Sequence, residues 1–323
     1  MFDALPPWPL FGFADDARPA LRAAALAREP LALATIVDLG GGGPRPVGTQ
    51  MTITRSSVTG FLSGGCLEGD VAAHATGVLE TGAPRRLVYG EGSPWPDIRL
   101  LCGARIEIQL ERIAPDDRAA AILLELTDSR TPALWLSDGT RRACAAADSP
   151  PASWPGAFAR RHDPTPRLIV LGSDPTALAI AALGAQSGCE TTLVRPKGPA
   201  EPPPLAGVAY RRDDPAQALA AIGLDAWTAV AVASHDAELD HAALTAALPS
   251  PAFYVGALGA RRRLPERQAQ LRHAGISQAH IARLHAPIGL DLGGKAPWEV
   301  AVAVLAEITA ERWRGGADQV PGD

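Results

Sequence analysis

Apolar residues fall at helical spacing over residues 15–28, an alanine-rich stretch that Pro30 closes off. Residues 31–39 are apolar and β-branched, as suits a buried strand. They run into Gly40 to Gly48, where four consecutive glycines and two prolines make a turn that no regular element could contain. Short strands are predicted over 51–54 and 58–62, then a break at Ser63-Gly64-Gly65 and a helix over 67–80. Period-two alternation marks 85–89 and 104–110 as half-buried strands, with Ile106, Ile108 and Leu110 on one face. A helix over 116–126 and a hairpin pairing 133–136 with 141–145 complete an N-terminal mixed α+β domain, residues 1–148. The proline-punctuated stretch 149–166 reads as a linker.

From residue 167 to 323 the pattern changes to alternation of strand and helix. Strands are predicted at 167–171, 191–194, 208–210, 228–233 and 253–256, and helices at 176–187, 216–222, 239–248, 264–274, 278–284 and 298–313. Such alternation is the signature of a parallel sheet wrapped on both faces. The expected fold is therefore α/β, with the mixed N-terminal domain followed by a Rossmann-like, doubly wound C-terminal domain.

Composition narrows the function classes. A chain of 323 residues exceeds what one core usually supports, and 47% hydrophobic with 20% charged residues is the composition of an ordinary globular protein. The net charge of -5 argues against a general nucleic-acid binder. Four dispersed cysteines with no C-x-x-C pair suggest neither a zinc ribbon nor a secreted disulfide framework. The N-terminus carries an acid and several prolines where a signal peptide needs a basic start and an apolar run, and no later stretch resembles a membrane span. A cytoplasmic protein is expected.

Candidate chemistry gathers at breaks between elements. Cys66 follows Gly64 and Gly65 at the start of a predicted helix, where free N–H groups and the positive end of the dipole favour an anion or thiolate. A free cysteine at a tight turn is more commonly a small buried hydrophobe, and both readings stand. Arg45, in the glycine-rich turn, reads equally as an anion contact or as part of a loose tip. Cys102, beside Gly103 just before a strand, could approach Cys66. In the second half, three segments should lie at the carboxyl ends of strands, where this fold binds ligands. These are Ser234-His235-Asp236, the run from Gly256 through Gly259 to Arg261-Arg262-Arg263, and His285 to Asp291 with Gly289 between. Three consecutive cations opening a helix repel one another unless an anion joins them. The first βα turn reads Gly172-Ser173-Asp174-Pro175, with Asp174 where the dinucleotide fingerprint needs its second glycine. Ordinary NAD(P) binding is not expected.

The ordered segments P-R-P-V-G-T-Q-M (44–51), S-G-G-C-L-E-G (63–69), C-G-A-R-I-E-I (102–108), S-H-D (234–236), V-G-A-L-G-A-R-R-R (255–263) and H-A-P-I-G-L-D-L-G (285–293) together resemble the XdhC/CoxI family over nearly the whole chain. The resemblance implies a maturation factor that binds the molybdenum cofactor, as molybdopterin or its cytosine dinucleotide. Such a factor keeps the cofactor while its terminal sulfur ligand is installed and helps insert it into a xanthine dehydrogenase-type molybdenum hydroxylase. It further implies a client enzyme as partner, a cysteine desulfurase and a second copy of the chain as others, and no catalysis of its own. Carried onto the matching motifs, the cofactor contacts would be Arg45, Gly64, Gly65, Cys66, Glu68, Cys102, His235, Asp236, Gly256, Gly259, Arg261, His285, Gly289 and Asp291, with Cys66 as molybdenum ligand or neighbour. The first Rossmann turn departs from the glycine-rich one usual in the family. The competing class is an NAD(P)-dependent oxidoreductase using His235 or His285 as acid or base.

Overall fold

The computed structural model describes residues 5–41, 43–93 and 105–314. The chain divides into two compact units, Met1–Pro164 and Thr165–Asp323.

In the first unit, α1 (Arg18–Ala27) carries proline in its first turn and closes on a left-handed Arg28. Strands β1 (Leu31–Gly40), β2 (Gln50–Ile53) and β3 (Val58–Gly60) precede α2 (Glu68–Thr81), which is followed by β4 (Arg85–Tyr89) and β5 (Arg105–Ile113). The five strands form one sheet in the order β3-β2-β1-β5-β4, antiparallel throughout. One face, through Ala34, Ile36, Ile106, Ile108 and Leu110, packs on Val71, Ala75 and Val78 of α2. Leu31, Leu33 and Ile113 face the other way and are buried as well. There they meet α1, α3 (Arg118–Asp128, capped by the Asp117 side chain) and a second sheet. That sheet has the order β7-β6-β8, from β6 (Ala133–Ser137), β7 (Arg142–Ala146) and β8 (Phe158–His162).

Strand β8 corrects the expected linker. F-A-R-R-H has no strand signature of its own, but Ala133 pairs with His162 and Ser137 with Phe158, so the segment is held by its partner strand. His162 is buried, with an unpartnered Nε2, and burial and the nearby Arg160 and Arg18 charges push its pKa well below the usual value. The folded protein thus keeps His162 neutral while the unfolded chain protonates it near pH 6.5, so stability is lost as pH falls below that value. Relative to His162→Leu, the parent should lose about 1 kcal/mol between pH 7.5 and 5.5, read from the denaturant midpoint of this unit. Parallel pH profiles would contradict it.

The second unit holds β9 (Arg167–Gly172), α4 (Pro175–Gln186), β10 (Glu190–Val194), β11 (Val208–Arg211), α5 (Pro215–Ile222), β12 (Thr228–Ala233), α6 (Ala237–Ala247), β13 (Tyr254–Ala257), α7 (Leu264–His273), α8 (Gln278–Ile281), β14 (Leu284–His285) and α9 (Pro297–Arg314). Its six strands are parallel in the order β11-β10-β9-β12-β13-β14. Helices α5 to α8 cover one face, and α4 and α9 the other. The expected helix over 278–284 is shorter than predicted, because Leu284 and His285 pair with Val255 and Gly256 at the sheet edge.

Candidate functional site

In the first unit, three connections leave the five-stranded sheet at one end. Gly40 lies opposite Arg105, Tyr89 opposite Ile106, and Gly60 opposite Met51, which puts the Gly40–Gly48 turn, the segment after Tyr89 and the turn leading to α2 side by side. Cys66 sits in the last of these and is exposed, which overturns the buried-hydrophobe reading. Cys144 is buried and its thiol is pushed up to about 12 by that burial, while Cys189 is half-buried and raised for the same reason. Gly64 and Gly65 are exposed beside Cys66, and a Cβ at either, or at Gly69, would meet only open space. Gly65, at φ 96, also adopts a backbone conformation that side chains disfavour.

Glu68 does not face a ligand, contrary to its expected role as a contact. It is fully buried, and its carboxylate accepts hydrogen bonds from Leu62 N (2.9 Å), Ser63 N (2.6 Å), Ser63 Oγ (2.8 Å) and Leu67 N (3.2 Å). Ser63 Oγ in turn accepts from Cys66 N (3.1 Å) and Leu67 N (3.2 Å). The turn is therefore clamped from inside, with its glycines and thiol outside. Glu68 also meets the positive end of the α2 dipole, so that charge is not left whole for a thiolate.

One turn further along α2, Asp70 accepts from the Tyr89 hydroxyl at 2.6 Å and lies 3.5 Å from His74 Nε2. Burial and then the bond to Asp70 push the Tyr89 pKa up, so it remains a donor. Arg45 is ion-paired with Asp15, and its Nε is buried without a hydrogen-bond partner among the described residues. Cys102, Gly103 and the expected first strand residue Ala104 lie outside the described residues.

In the second unit, chain order and strand order diverge between β9 and β12, the place where open α/β sheets bind ligands. Asp174 occupies it. One carboxylate oxygen caps α4 by accepting from Ala177 N at 2.8 Å, and the other lies 3.0 Å from His235 Nε2. Gly172 has no room for a side chain, since a Cβ would come within 2.5 Å of Ala177 Cβ and Ala233 O. Asp236 caps α6 through Glu238 N and Leu239 N. Ser234 donates to Asp240, a buried carboxylate that Arg267 also holds at 2.9 Å.

The remaining candidates line the same carboxyl edge. Arg261, Arg262 and Arg263 form an exposed 3-10 turn ahead of α7. The anion that joins them is the chain's own, since Asp291 pairs with Arg261 at 3.2 Å. Gly259, at φ 151, lies beside Arg267, whereas Gly256 is crowded by Ile288 and Tyr254, and Gly289 by Ala303 and Val304. The last two are packing glycines. His285 stacks on Tyr254 with ring centroids 4.5 Å apart and lies 3.2 Å from Glu307 Oε1. Glu307 also accepts from the Tyr254 hydroxyl (2.5 Å) and Gly289 N (2.7 Å). This ties His285 into a structural network.

Asp15, Asp70, Tyr89 and Glu307 carry no local sequence signal, because their partners are set by tertiary placement. Asp174 did carry one, as an N-cap residue ahead of a first-turn proline. Among the described residues no cluster of three or more His, Cys, Asp or Glu could hold a metal ion, and no helix is long and apolar enough to cross a membrane.

Known proteins share this architecture. The "Molybdenum cofactor insertion chaperone PaoD" of Escherichia coli (strain K12) is 29% identical over 303 residues, 92% of this chain and 89% of that protein. A protein of Bacillus subtilis (strain 168), named for a probable role in xanthine dehydrogenase, is 25% identical over 89% of this chain and 94% of its own length. A solved structure described as a xanthine dehydrogenase from Bacillus halodurans superposes with a TM-score of 0.75, at 22% identity, over 95% of this chain and 98% of that one, and shares the fold. Residues 168–308 match the XdhC Rossmann domain and residues 24–90 the XdhC and CoxI family. With more than half of the chain matched in this way, and the expected motifs standing at the sheet ends described above, the protein belongs to the XdhC/CoxI family.

Proposed function

We propose that this chain is a molybdenum-cofactor insertion chaperone, which holds the cofactor while its terminal sulfur ligand is installed and delivers it to a xanthine dehydrogenase-type apoenzyme. The observation that carries this reading is the turn at Cys66, where an exposed thiol stands beside glycines that leave their outer side open. A Cβ at Gly64 or Gly65 would stand in the way of a ligand, and a soft sulfur donor suits molybdenum. These residues fit the cofactor, and Gly64, Gly65 and Cys66 would hold it. When bound, the cofactor supplies a redox-active metal on a pterin dithiolene, of which this chain is the carrier. The name of PaoD, a relative spanning most of the chain, supports the same reading.

NAD(P) falls outside it. At the switch point the carboxylate of Asp174 already meets the α4 N-terminus, where a pyrophosphate would need to lie. A cysteine desulfurase as sulfur donor, a second copy of the chain and a cytoplasmic location belong to the proposal on the strength of the family.

Expressed in a host that makes the cofactor, the parent should copurify with pterin and molybdenum. Cys66→Ser should reduce bound molybdenum at least tenfold, Cys102→Ser less, and Cys144→Ser or Cys189→Ser little. Molybdenum content and pterin fluorescence of the purified proteins give the ranking. Equal losses at Cys66 and Cys144 would sink the assignment, as would steady-state NAD reduction by the isolated chain.

A further inference from the structure

Helix α9 is apolar on two sides. Ala301, Val304, Leu305 and Ile308 are buried against the sheet, as the inner stripe of a surface helix should be. The outer side should then be polar, yet Trp298 and Val302, one turn apart, are 56% and 50% exposed. Leu290 (40%) and Leu292 (58%) add to them from the preceding loop. That loop is fixed to the helix by Leu290 N to Ala303 O (3.1 Å), and at its far end Glu299 accepts from Lys295 N and Ala296 N (2.9 Å each). These apolar groups therefore stand on a firmly held surface.

Its border is cationic. Asp291, between the two leucines, pairs with Arg261, and the next two residues, Arg262 and Arg263, are exposed with no ion pair among the described residues. An apolar centre with tryptophan, edged by arginines, has the anatomy of a protein-binding surface.

We propose that this face of α9 and the 290–292 loop docks a protein partner that presents an apolar patch bordered by carboxylates. This rests on the chaperone reading, under which that partner is the cofactor-free client enzyme. Charge selects this occupant over the others. A second copy meeting the same face across a two-fold axis would set Arg262 and Arg263 against their own counterparts. A lipid surface would have to accept the Asp291 carboxylate, 79% exposed between the two leucines, and Glu299 in the first turn of α9.

The test uses the full chain from a cofactor-producing host and, as probe, a xanthine dehydrogenase apoenzyme from a host unable to make the cofactor. Association is measured by calorimetry at two salt concentrations. Trp298→Ala with Val302→Ser should weaken binding at least tenfold. Arg262→Glu with Arg263→Glu should weaken it similarly and flatten the salt dependence. Melting temperature, molybdenum content and oligomeric state should match the parent in both. Parental affinity in both variants, or failure of the cofactor-loaded parent to bind the apoenzyme, overturns the surface and leaves the chaperone reading standing. A parent that binds the apoenzyme but never carries cofactor removes the chaperone reading and leaves the surface. A changed oligomeric state in the variants, a lowered melting temperature, or loss of cosedimentation with phosphatidylserine vesicles reassigns the face to self-association, to the fold or to lipid, and overturns the proposal.

Discussion

Glu68→Ala should abolish cofactor retention as completely as loss of the Cys66 thiol, although residue 68 is fully buried. Without the carboxylate, the N–H groups of Leu62, Ser63 and Leu67 and the Ser63 hydroxyl all lose an acceptor. Hydrogen bonds to a buried charge contribute more than neutral ones, and donors stranded away from water carry a desolvation penalty. The expected destabilisation is on the order of 3 to 5 kcal/mol. The turn bearing Gly64, Gly65 and Cys66 would give way first, because the Ser63 hydroxyl that accepts from Cys66 N is itself oriented by Glu68. Glu68→Gln keeps the volume but turns an amide NH2 toward donors, so it should be intermediate in both stability and molybdenum content. A Glu68→Ala protein with the parental denaturant midpoint and full cofactor would show that the turn holds itself.

A comparable loss is expected at Arg142, for stability alone. Glu111 is 1% exposed, and burial raises its carboxyl above the ordinary range against the pull of Arg142 and the Ser137 hydrogen bond. Arg142 reaches Glu111 at 3.0 Å and Asp117, the α3 cap, at 2.7 Å. It thereby joins β5, β7 and α3. Arg142→Ala strands the Glu111 carboxylate and should cost on the order of 3 to 5 kcal/mol, whereas adding Glu111→Leu should recover part of that loss. Urea unfolding of the single and double variants checks this. A double variant no better than the single one would mean that Arg142 acts through packing and Asp117 instead. Cofactor content of the surviving folded protein should be unaffected.

Elements whose own composition decides their structure were legible in the sequence. The β/α alternation after residue 167 appears as the parallel sheet, and Ile106, Ile108 and Leu110 face one core as their alternation implies. Gln109 and Glu111, on the opposite face, read as solvent positions but are buried, because the β6-β7-β8 sheet and Arg142 cover them. Strands β8 and β14 were missed for a related reason, since each is made by a neighbour's unpaired edge. At the candidate site, the glycines and thiol were legible because a strand, a double glycine and a helix meet within a few residues. The clamp beneath them was not, because nothing in S-G-G-C-L-E says that the glutamate turns back on itself. The partner of Asp174 stands 61 residues away in His235, beyond the reach of any local pattern.

The clamped turn bears on how a bound cofactor would leave. A loop that becomes ordered only around its ligand gives up conformational entropy on binding and regains it on release, so its own melting can drive departure. The turn at Cys66 is already ordered by bonds from Glu68 and Ser63 that a ligand outside it need not touch. Such preorganisation leaves no entropic spring to eject the cargo. On the chaperone reading, hand-over is then a competition between two sets of ligands, with a departure rate that rises with the concentration of acceptor apoenzyme.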